Sequence, residues 1–237
     1  MQQLLLPVRL ADHAVFGNFL ATGNELPVHQ LQLAAAGGAG PLLWLWGPPE
    51  CGRTHLLQAA VAAAGDQGRR AAYLPLRATD DGAPLPAGAL DGMGDFDLVA
   101  LDDLDAVAGE AVFEQAVFGL FEQLRAAGGR LLAAAGAPPS DVPFRLPDLA
   151  SRLSSGGAYR LQALDDDGRL EALRIRARFR GFELPDETGR YLLKRLARGP
   201  ASLFRLLDTL DDASLVAQKR LTIPFVRAVL DPAGGRS

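Results

Sequence analysis

A short glycine-rich segment, residues 47–54, has the residue types and spacing of a phosphate-binding loop. It reads Gly-Pro-Pro-Glu-Cys-Gly-Arg-Thr and follows the pattern G-x-x-x-x-G-K plus serine or threonine, except that arginine replaces the lysine. In such a loop, successive backbone N–H groups and a helix N-terminus bind an anion, while Thr54 offers a hydroxyl to a magnesium ion. Arg53 keeps the positive charge, but its planar guanidinium is broader than an ammonium group. We therefore expect nucleotide binding to survive this replacement better than fast hydrolysis does.

The residues around the loop occur in the order that phosphate binding requires. An apolar run at residues 42–46 precedes the loop and a helical stretch at residues 54–64 follows it, so a strand, a turn and a helix succeed one another. The alternative is a tight turn between a buried strand and a helix. The candidate nucleotide-binding residues are Gly47, Pro48, Pro49, Glu50, Cys51, Gly52, Arg53, Thr54 and His55.

A second segment, residues 97–103, is an apolar run that ends in two carboxylates, Asp102 and Asp103. In P-loop proteins a strand of this kind lies beside the loop, and its terminal acid holds the metal ion through water. We therefore predict that Asp102 and Thr54 hold magnesium. Asp103 occupies the position of a water-activating glutamate with a side chain one methylene shorter, so weak water activation is the expectation. A helix cap or a solvated turn is the alternative for this segment taken alone.

The composition is that of a globular chain with a sizeable core. The 237 residues are 49% hydrophobic, and a single cysteine, Cys51, excludes an intramolecular disulfide framework. The N-terminal residues lack a basic region followed by a long apolar stretch, and no segment approaches the roughly 18 uninterrupted apolar residues of a membrane span. We expect a cytoplasmic protein without membrane contact.

The net charge of −4 is distributed unevenly along the chain. Residues 1–164 carry 10 Lys and Arg against 17 Asp and Glu, whereas residues 165–237 carry 14 against 11, a net of +3. This positive excess is too small to establish nucleic-acid binding, because exposed helices carry such charges routinely. Any direct DNA contact is therefore expected to be weak and non-specific.

Short apolar runs alternate with helical stretches over residues 41–164, which predicts an α/β fold with a parallel sheet. A helical pattern over residues 109–127 predicts a helix that crosses between the third and fourth strands. Residues 34–40 are expected to form a loop or a frayed helix end, and residues 77–94 a loop region with room for a short helix. The predicted strands cover residues 42–46, 71–75, 97–101, 130–135 and 159–161.

The strand pattern stops after Leu164, and four helices are predicted to follow it. These helices form an all-helical appendage at the C-terminal end of the α/β region. The predicted helices start at Asp165, Pro185, Gly199 and Thr222, with ends at Gly181 for the first and near Leu230 for the last.

Several strings resemble those of initiator-related AAA+ proteins, and among them the regulatory inactivators of the bacterial replication initiator DnaA. They span nearly the whole chain and include the loop at residues 47–55, with its arginine, and the acidic strand end at residues 101–103. The other strings are Leu-Pro-Asp-Leu-Ala-Ser-Arg-Leu at 146–153, Arg-Ala-Arg-Phe-Arg-Gly-Phe-Glu-Leu-Pro at 176–185 and Leu-Thr-Ile-Pro-Phe-Val at 221–226.

The resemblance implies an AAA+ P-loop domain with a parallel five-stranded sheet, followed by a small all-helical lid domain. Together with the patterns above, it divides the chain into an N-terminal clamp-binding peptide at 1–10, an α/β nucleotide-binding domain at 11–164 and a helical lid at 165–237. It also implies a bound adenine nucleotide, ADP or another, with magnesium as an optional companion.

The resemblance implies that Arg152 acts in trans as an arginine finger. In the family, the matching arginine reaches into the nucleotide site of a neighbouring DnaA and stabilises charge on the γ-phosphate, which accelerates phosphoryl transfer by about 10³–10⁵. Taken without the resemblance, an arginine on a short helix is more often part of a solvated face.

The N-terminal string Gln3-Leu4-Leu5-Leu6-Pro7 is similar to the short motif with which replication proteins dock on the DNA sliding clamp. The glutamine of that motif hydrogen-bonds at the rim of the clamp's site, and its apolar residues fill the site. Exposed leucines favour a partner, whereas packing against the chain's own domain is the alternative. The candidate clamp-binding residues are Gln3, Leu4, Leu6 and Pro7.

Two departures from the family concern nucleotide handling. Ala137 stands where relatives carry a polar aspartate, and Ala201 stands where the lid of relatives carries a phosphate-sensing arginine, with Arg198 and Arg205 nearby. A C-terminal helix-turn-helix domain, which the initiators carry, is not expected after Leu230, so sequence-specific origin binding is not expected either.

Three functions are considered, and Arg53, Asp103, Ala137 and Ala201 favour the first of them. The first is a nucleotide-bound adaptor that docks on the clamp, completes the ATPase site of DnaA and so prevents re-initiation, with little ATPase activity of its own. The second is an independent P-loop ATPase or loader-like motor, and the third is an initiator-related protein that recruits replication factors to DNA. Self-association into a homo-oligomer is also left open by the sequence.

Overall fold

The central feature of the fold is one parallel sheet of five strands. The structure, a computed structural model, describes residues 14–77, 85–195 and 222–230. The strand order is β2-β3-β4-β1-β5, and every neighbouring pair is parallel. The predicted α/β class with a parallel five-stranded sheet is therefore confirmed. The strands are β1 (Leu42–Trp46), β2 (Ala71–Pro75), β3 (Leu98–Asp102), β4 (Arg130–Ala135) and β5 (Gly157–Arg160).

Four helices connect or flank these strands in the α/β region. Strands buried on both faces need helices on each side, because parallel neighbours are joined by crossover connections. The short turns of 3-10 helix at Ala87–Leu90 and Met93–Asp95 fall where the sequence predicted a loop with room for a short helix. The helices are α1 (Glu25–Ala35), α2 (Arg53–Asp66), α3 (Ala111–Ala127) and α4 (Pro147–Ser155).

The sheet centre is apolar and tightly enclosed. All five residues of β3 are buried, and five of the six residues of β4 are buried as well. Trp44, in the middle of β1, is fully buried and meets the ring of Phe144 edge to face at 6.4 Å between centroids. A rigid sheet of this kind gives the loops at its carboxyl edge fixed anchor points.

The acidic strand β3 is not the direct neighbour of β1, because β4 lies between them. The sequence predicted that this strand lies directly beside the loop, and the strand order corrects that prediction. Helix α2, which follows the loop, packs across the sheet, so its first turn meets the carboxyl end of β3. Thr54 of α2 and Asp102 of β3 are in hydrogen-bond contact there. The observed β3 and β5 also differ by one or two residues from the predicted 97–101 and 159–161.

Helix α1 was not predicted from the sequence. It buries Val28, Leu31, Ala34 and Ala35, but its pattern is irregular. Residues 34–40 were predicted as a loop or a frayed helix end, and they contain the end of α1, at Ala35, followed by a loop.

The chain divides into two compact units. Of the described residues, the first unit contains 14–17, 23–77 and 85–163, and the second contains 18–22 with those from 164 onward. The helices of the second unit are α5 (Asp166–Phe179), α6 (Asp186–Arg195) and α7 (Ile223–Leu230).

The helix starts in the second unit follow local rules. The Asp165 carboxylate accepts a hydrogen bond of 2.8 Å from the Gly168 N–H and caps α5, as its sequence predicted. Gly181 has a φ of +84°, which suits the end of the same helix. The predicted helix that starts at Gly199 lies outside the described residues. In the part of the chain that is described, no helix has the length and apolarity needed to span a membrane.

Candidate functional site

The glycine-rich loop connects β1 to α2 and has a backbone that side chains would obstruct. A Cβ atom at Gly47 would lie 2.7 Å from the Leu161 carbonyl oxygen and 3.0 Å from the Cys51 sulfur. Glu50 and Gly52 both have positive φ, of 67° and 98°, and Gly52 immediately precedes the first residue of α2. The loop is therefore tightly packed, and the N-terminus of α2 begins directly after it.

Arg53 is folded against the loop and the acidic strand end. Its guanidinium donates to the Gly47 carbonyl through Nη1, and Nη2 lies 3.6 Å from an Asp103 carboxylate oxygen. The second Asp103 oxygen lies 3.2 Å from Nε of Arg77. Asp103 itself has a left-handed backbone, with a φ of 54°. Both oxygens of the predicted water-activating carboxylate are thus engaged by guanidinium groups.

Asp102 is the most buried acid at this strand end, with 3% of its surface exposed. Its Oδ2 accepts hydrogen bonds from the hydroxyls of Thr54 at 2.6 Å and Tyr73 at 2.9 Å. Its Oδ1 accepts one from the Asp103 N–H at 3.1 Å. Burial raises the pKa of Asp102 above its ordinary value, although the bond from Thr54 favours the charged form. Burial also raises the pKa of Tyr73, so its hydroxyl keeps the proton that it donates.

These groups fit a phosphate with a magnesium ion. The absence of a side chain at Gly47 and the N-terminus of α2 suit an anion, and the oxygens of Thr54 and Asp102 are the hard donors that magnesium prefers. Magnesium in such sites keeps several waters and takes few protein ligands. Within residues 14–77, 85–195 and 222–230, no cluster of three or more His, Cys, Asp or Glu residues that could hold a metal ion is found.

The other loop residues predicted from the sequence have different surroundings. Pro48, Pro49 and Glu50 are exposed at the tip of the loop. Cys51 is buried, and that burial raises the pKa of its thiol. His55 is also buried, and its Nε2 donates to the Val15 carbonyl at 3.0 Å, so this ring nitrogen points away from the loop.

The end of β4 lacks a polar side chain at Ala137 but is held by polar contacts of its backbone. Trp44 Nε1 donates to the Ala137 carbonyl at 3.0 Å, and the Gly136 N–H donates to Asp105 Oδ2 at 3.1 Å. The strand end is therefore fixed although the side chain expected from the family is missing. Ala201, Arg198 and Arg205 lie outside the described residues.

Arg152 lies in the last turn of α4 and is half exposed. Leu149 and Leu153 of the same helix are fully buried and anchor it on the core, which leaves Arg152 on the outer side. Its Nε lies 3.2 Å from Oε1 of Glu122 in α3, and 51% of its side chain is exposed. Arg125 contacts the other oxygen of Glu122 at 2.7 Å. Exposed pairs of this kind are weak, so Arg152 can leave Glu122 at little cost.

The start of α4 is held by a buried acid of α3, Glu114, which is 1% exposed. Its Oε1 accepts from the N–H groups of Gly109 at 2.6 Å and Arg145 at 3.1 Å, and its Oε2 accepts from Leu146 N–H at 2.7 Å. Burial raises the pKa of Glu114, but these backbone bonds outweigh it and lower the pKa below the ordinary value. The bonds therefore stabilise the fold above the ordinary glutamate pKa, and this stabilisation is lost as the pH falls through the lowered value.

Four of the side chains that shape the site were not identified from the sequence. Tyr73 and Arg77 lie on or just after β2, which only the strand order brings beside β3. Glu114 and Glu122 belong to α3, and the packing of α3 against α4 decides what they touch. The one available signal was an acid, Glu114, on a helix face that is otherwise apolar. The four predicted clamp-binding residues, Gln3, Leu4, Leu6 and Pro7, lie outside the described residues.

Residues 166–230 match the protein family described as Hda, lid domain. This match covers the described helices α5, α6 and α7.

Solved structures similar to the chain include replication initiators and a branch migration motor. Domain III of the Thermotoga maritima replication initiation protein DnaA matches with a TM-score of 0.72 at 17% identity, over 94% of this chain and 98% of that one. The replication initiator DnaA bound to AMPPCP and single-stranded DNA matches with a TM-score of 0.64 at 22% identity, over 85% and 72%.

The Thermotoga maritima RuvB Holliday junction branch migration motor matches with a TM-score of 0.63 at 16% identity, over 94% of this chain and 73% of that one. At these identities the structural likeness establishes the fold, which is the predicted AAA+ P-loop fold. The chain thus combines this fold with a second unit that is similar to the lid domain of Hda.

Proposed function

We propose that this protein is a nucleotide-bound regulator of replication initiation that docks on the DNA sliding clamp and stimulates hydrolysis of ATP bound to DnaA. Arg152 enters the nucleotide site of DnaA as an arginine finger, and the resulting ADP-bound DnaA no longer re-initiates. The observation that carries the proposal is the position of Arg152, half exposed at the end of a firmly anchored helix and paired only weakly with Glu122.

Binding of ADP or another adenine nucleotide is supported by the loop and by the acidic strand end. The loop packs so closely at Gly47 that no side chain fits there, and Arg53 adds a positive charge that lies beside Asp103. DnaA, which has the same fold, has been solved with AMPPCP bound. Magnesium, held by Thr54 and Asp102, would supply positive charge beside the phosphates.

The deciding experiment is single-turnover hydrolysis of labelled ATP on DnaA with clamp loaded on DNA. Addition of this protein should accelerate hydrolysis by about 10³-fold or more, the range that arginine fingers supply in trans. An unchanged rate at saturating protein would exclude the proposal.

The isolated protein is expected to hydrolyse ATP slowly, because the Asp103 carboxylate is paired with two guanidinium groups. Its oxygens lie 3.6 Å from Arg53 and 3.2 Å from Arg77, so each oxygen must leave a guanidinium group before it can accept a proton from water. Phosphate release by the pure protein should stay far below about 1 s⁻¹, the low end for ordinary enzymes. A rate at or above that value would instead favour an independent P-loop ATPase, for which the intact pair of Thr54 and Asp102 is the supporting observation.

Clamp docking rests on the N-terminal peptide, residues 1–10. Replacement of both Gln3 and Leu6 by alanine should abolish clamp binding and leave the fold intact, since a terminal peptide contributes little to a core. Affinity for immobilised clamp is the measurement, and Gln2→Ala is the matched control because it removes the neighbouring glutamine. Equal affinity of the double variant and the wild type would locate the docking site elsewhere.

DnaA and the sliding clamp are thus the proposed partners, and the cytoplasm is the proposed location. DNA contact, if made directly, is weak and non-specific, in keeping with the small positive excess of residues 165–237.

A further inference from the structure

Glu114 is the most deeply buried acid among the described residues, and it takes no part in the nucleotide site. A buried charge costs free energy unless it is fully hydrogen-bonded. Glu114 meets that condition through backbone N–H groups alone, with three bonds of 2.6 to 3.1 Å. Its partners lie in two separate loops, one before α3 and one before α4, so a single carboxylate ties both loops to α3.

The bond to Leu146 has a particular consequence for α4. Leu146 is the cap residue of this helix, no side chain caps it, and the next residue is Pro147, which has no N–H to donate. The Glu114 carboxylate therefore binds the last N–H groups before the helix begins. Arg152 follows one and a half turns later, so the direction in which α4 leaves Leu146 decides where the guanidinium lies.

We propose that Glu114 is the positioning residue for Arg152. By fixing Arg145 and Leu146, it sets the start and direction of α4 and so presents the guanidinium in one place to the partner's nucleotide. This inference rests on the proposed finger role of Arg152 for its effect on hydrolysis, whereas its structural part concerns α4 alone.

Glu114→Gln tests the inference because it keeps the shape of the side chain but turns one acceptor oxygen into an NH₂ group that faces N–H donors. Stimulated single-turnover hydrolysis on DnaA should fall about 10²-fold at saturation, the loss that a displacement of about 1 Å can cause. The concentration for half-maximal stimulation should change by less than about threefold, because docking does not use this residue. Glu110→Gln, the same change at an exposed acid before α3, should leave both values at the wild-type level.

Amide hydrogen exchange gives a second measurement that does not depend on DnaA. In the Glu114→Gln protein, amides of α4 should exchange about tenfold faster or more, while those of β3 and β4 keep their protection, because only the helix start has lost its anchor. Wild-type exchange in α4 would overturn the inference whatever the hydrolysis assay shows. A merely unstable variant would differ, since it would lose protection in the strands as well.

Leu146→Pro is the second variant in case Glu114→Gln does not fold. It deletes one donated N–H and leaves the carboxylate; the φ of −87° at this residue is about 20° from the usual proline value, and the leucine side chain packed on the core is lost as well. The maximal rate of hydrolysis on DnaA that this variant stimulates should fall by about tenfold, because one of the three hydrogen bonds to the Glu114 carboxylate is lost. Suppose that, in the same assay, Arg152→Ala is inactive and a folded Leu146→Pro protein is fully active. That result would refute Glu114 as the positioning residue. If Arg152→Ala is itself fully active, the finger proposal fails, and exchange in α4 alone decides whether Glu114 holds the helix.

Discussion

Arg152→Ala is expected to abolish the stimulated hydrolysis of ATP on DnaA and to leave this protein's own nucleotide and clamp binding unchanged. An arginine finger contributes about 10³–10⁵ to the rate of phosphoryl transfer, so the alanine variant should fall near the unstimulated rate. Arg152 is 51% exposed and contacts Glu122 rather than the loop, so its removal should not disturb the fold. Lysine should rescue poorly, because a point charge cannot span two phosphate oxygens as the guanidinium fork does.

Arg125→Ala is a matched control for this experiment. Arg125 is 53% exposed and contacts the same acid, Glu122, at 2.7 Å, so its removal changes the local charge equally. It lies on α3 rather than α4, and we expect it to keep full stimulation. The measurement is single-turnover hydrolysis with DNA-loaded clamp. Undiminished hydrolysis with Arg152→Ala would remove the finger assignment and leave clamp tethering as the proposed role.

Gly47→Ala is expected to have the second largest effect, on nucleotide binding. A methyl group here would lie 2.7 Å from the Leu161 carbonyl and 3.0 Å from the Cys51 sulfur, so the loop must shift. Overpacking of this kind costs about 1–3 kcal/mol. If that cost falls on the loop conformation that binds phosphate, nucleotide affinity drops by about 5-fold to 150-fold. Titration with a fluorescent adenine nucleotide measures the change directly.

Gly65→Ala provides the control on the helix that follows the loop. Gly65 lies near the end of α2, and an added Cβ would meet no atom within 4 Å. Alanine in a helix interior is favoured over glycine by roughly 0.5–1 kcal/mol, so this variant should melt slightly higher and bind nucleotide normally. Unchanged affinity in Gly47→Ala would show that the loop does not require its observed close packing to bind.

Local patterns in the sequence were sufficient for the loop, the two aspartates and most elements. The loop and its flanking strand and helix occupy residues 42–66, so their order could be read without knowledge of the tertiary fold. The cap at Asp165 and the end of α5 before Gly181 followed in the same way. Helix α1 was missed, because its alanines, leucines and glutamines do not form one clean apolar stripe.

Contacts between distant segments could not be predicted from one sequence. Tyr73 reaches Asp102 because β2 is the outer neighbour of β3, and many strand orders are compatible with the same series of strands. The contact between Arg77 and Asp103, which occupies the predicted water-activating carboxylate, follows from the same pairing. In this structure Asp103 is therefore an ion-pair partner of Arg53 and Arg77.

The sequence by itself determined which residues offer phosphate and metal chemistry, because glycine spacing and a carboxylate after a strand are local features. Only the tertiary structure decided how Arg152 is held. The start of its helix is tied to Glu114, which lies 31 and 32 residues before its hydrogen-bond partners Arg145 and Leu146, through their backbone N–H groups. Backbone donors are the same at every residue except proline, so no residue type in the 145–146 segment marks it as the partner of a buried acid.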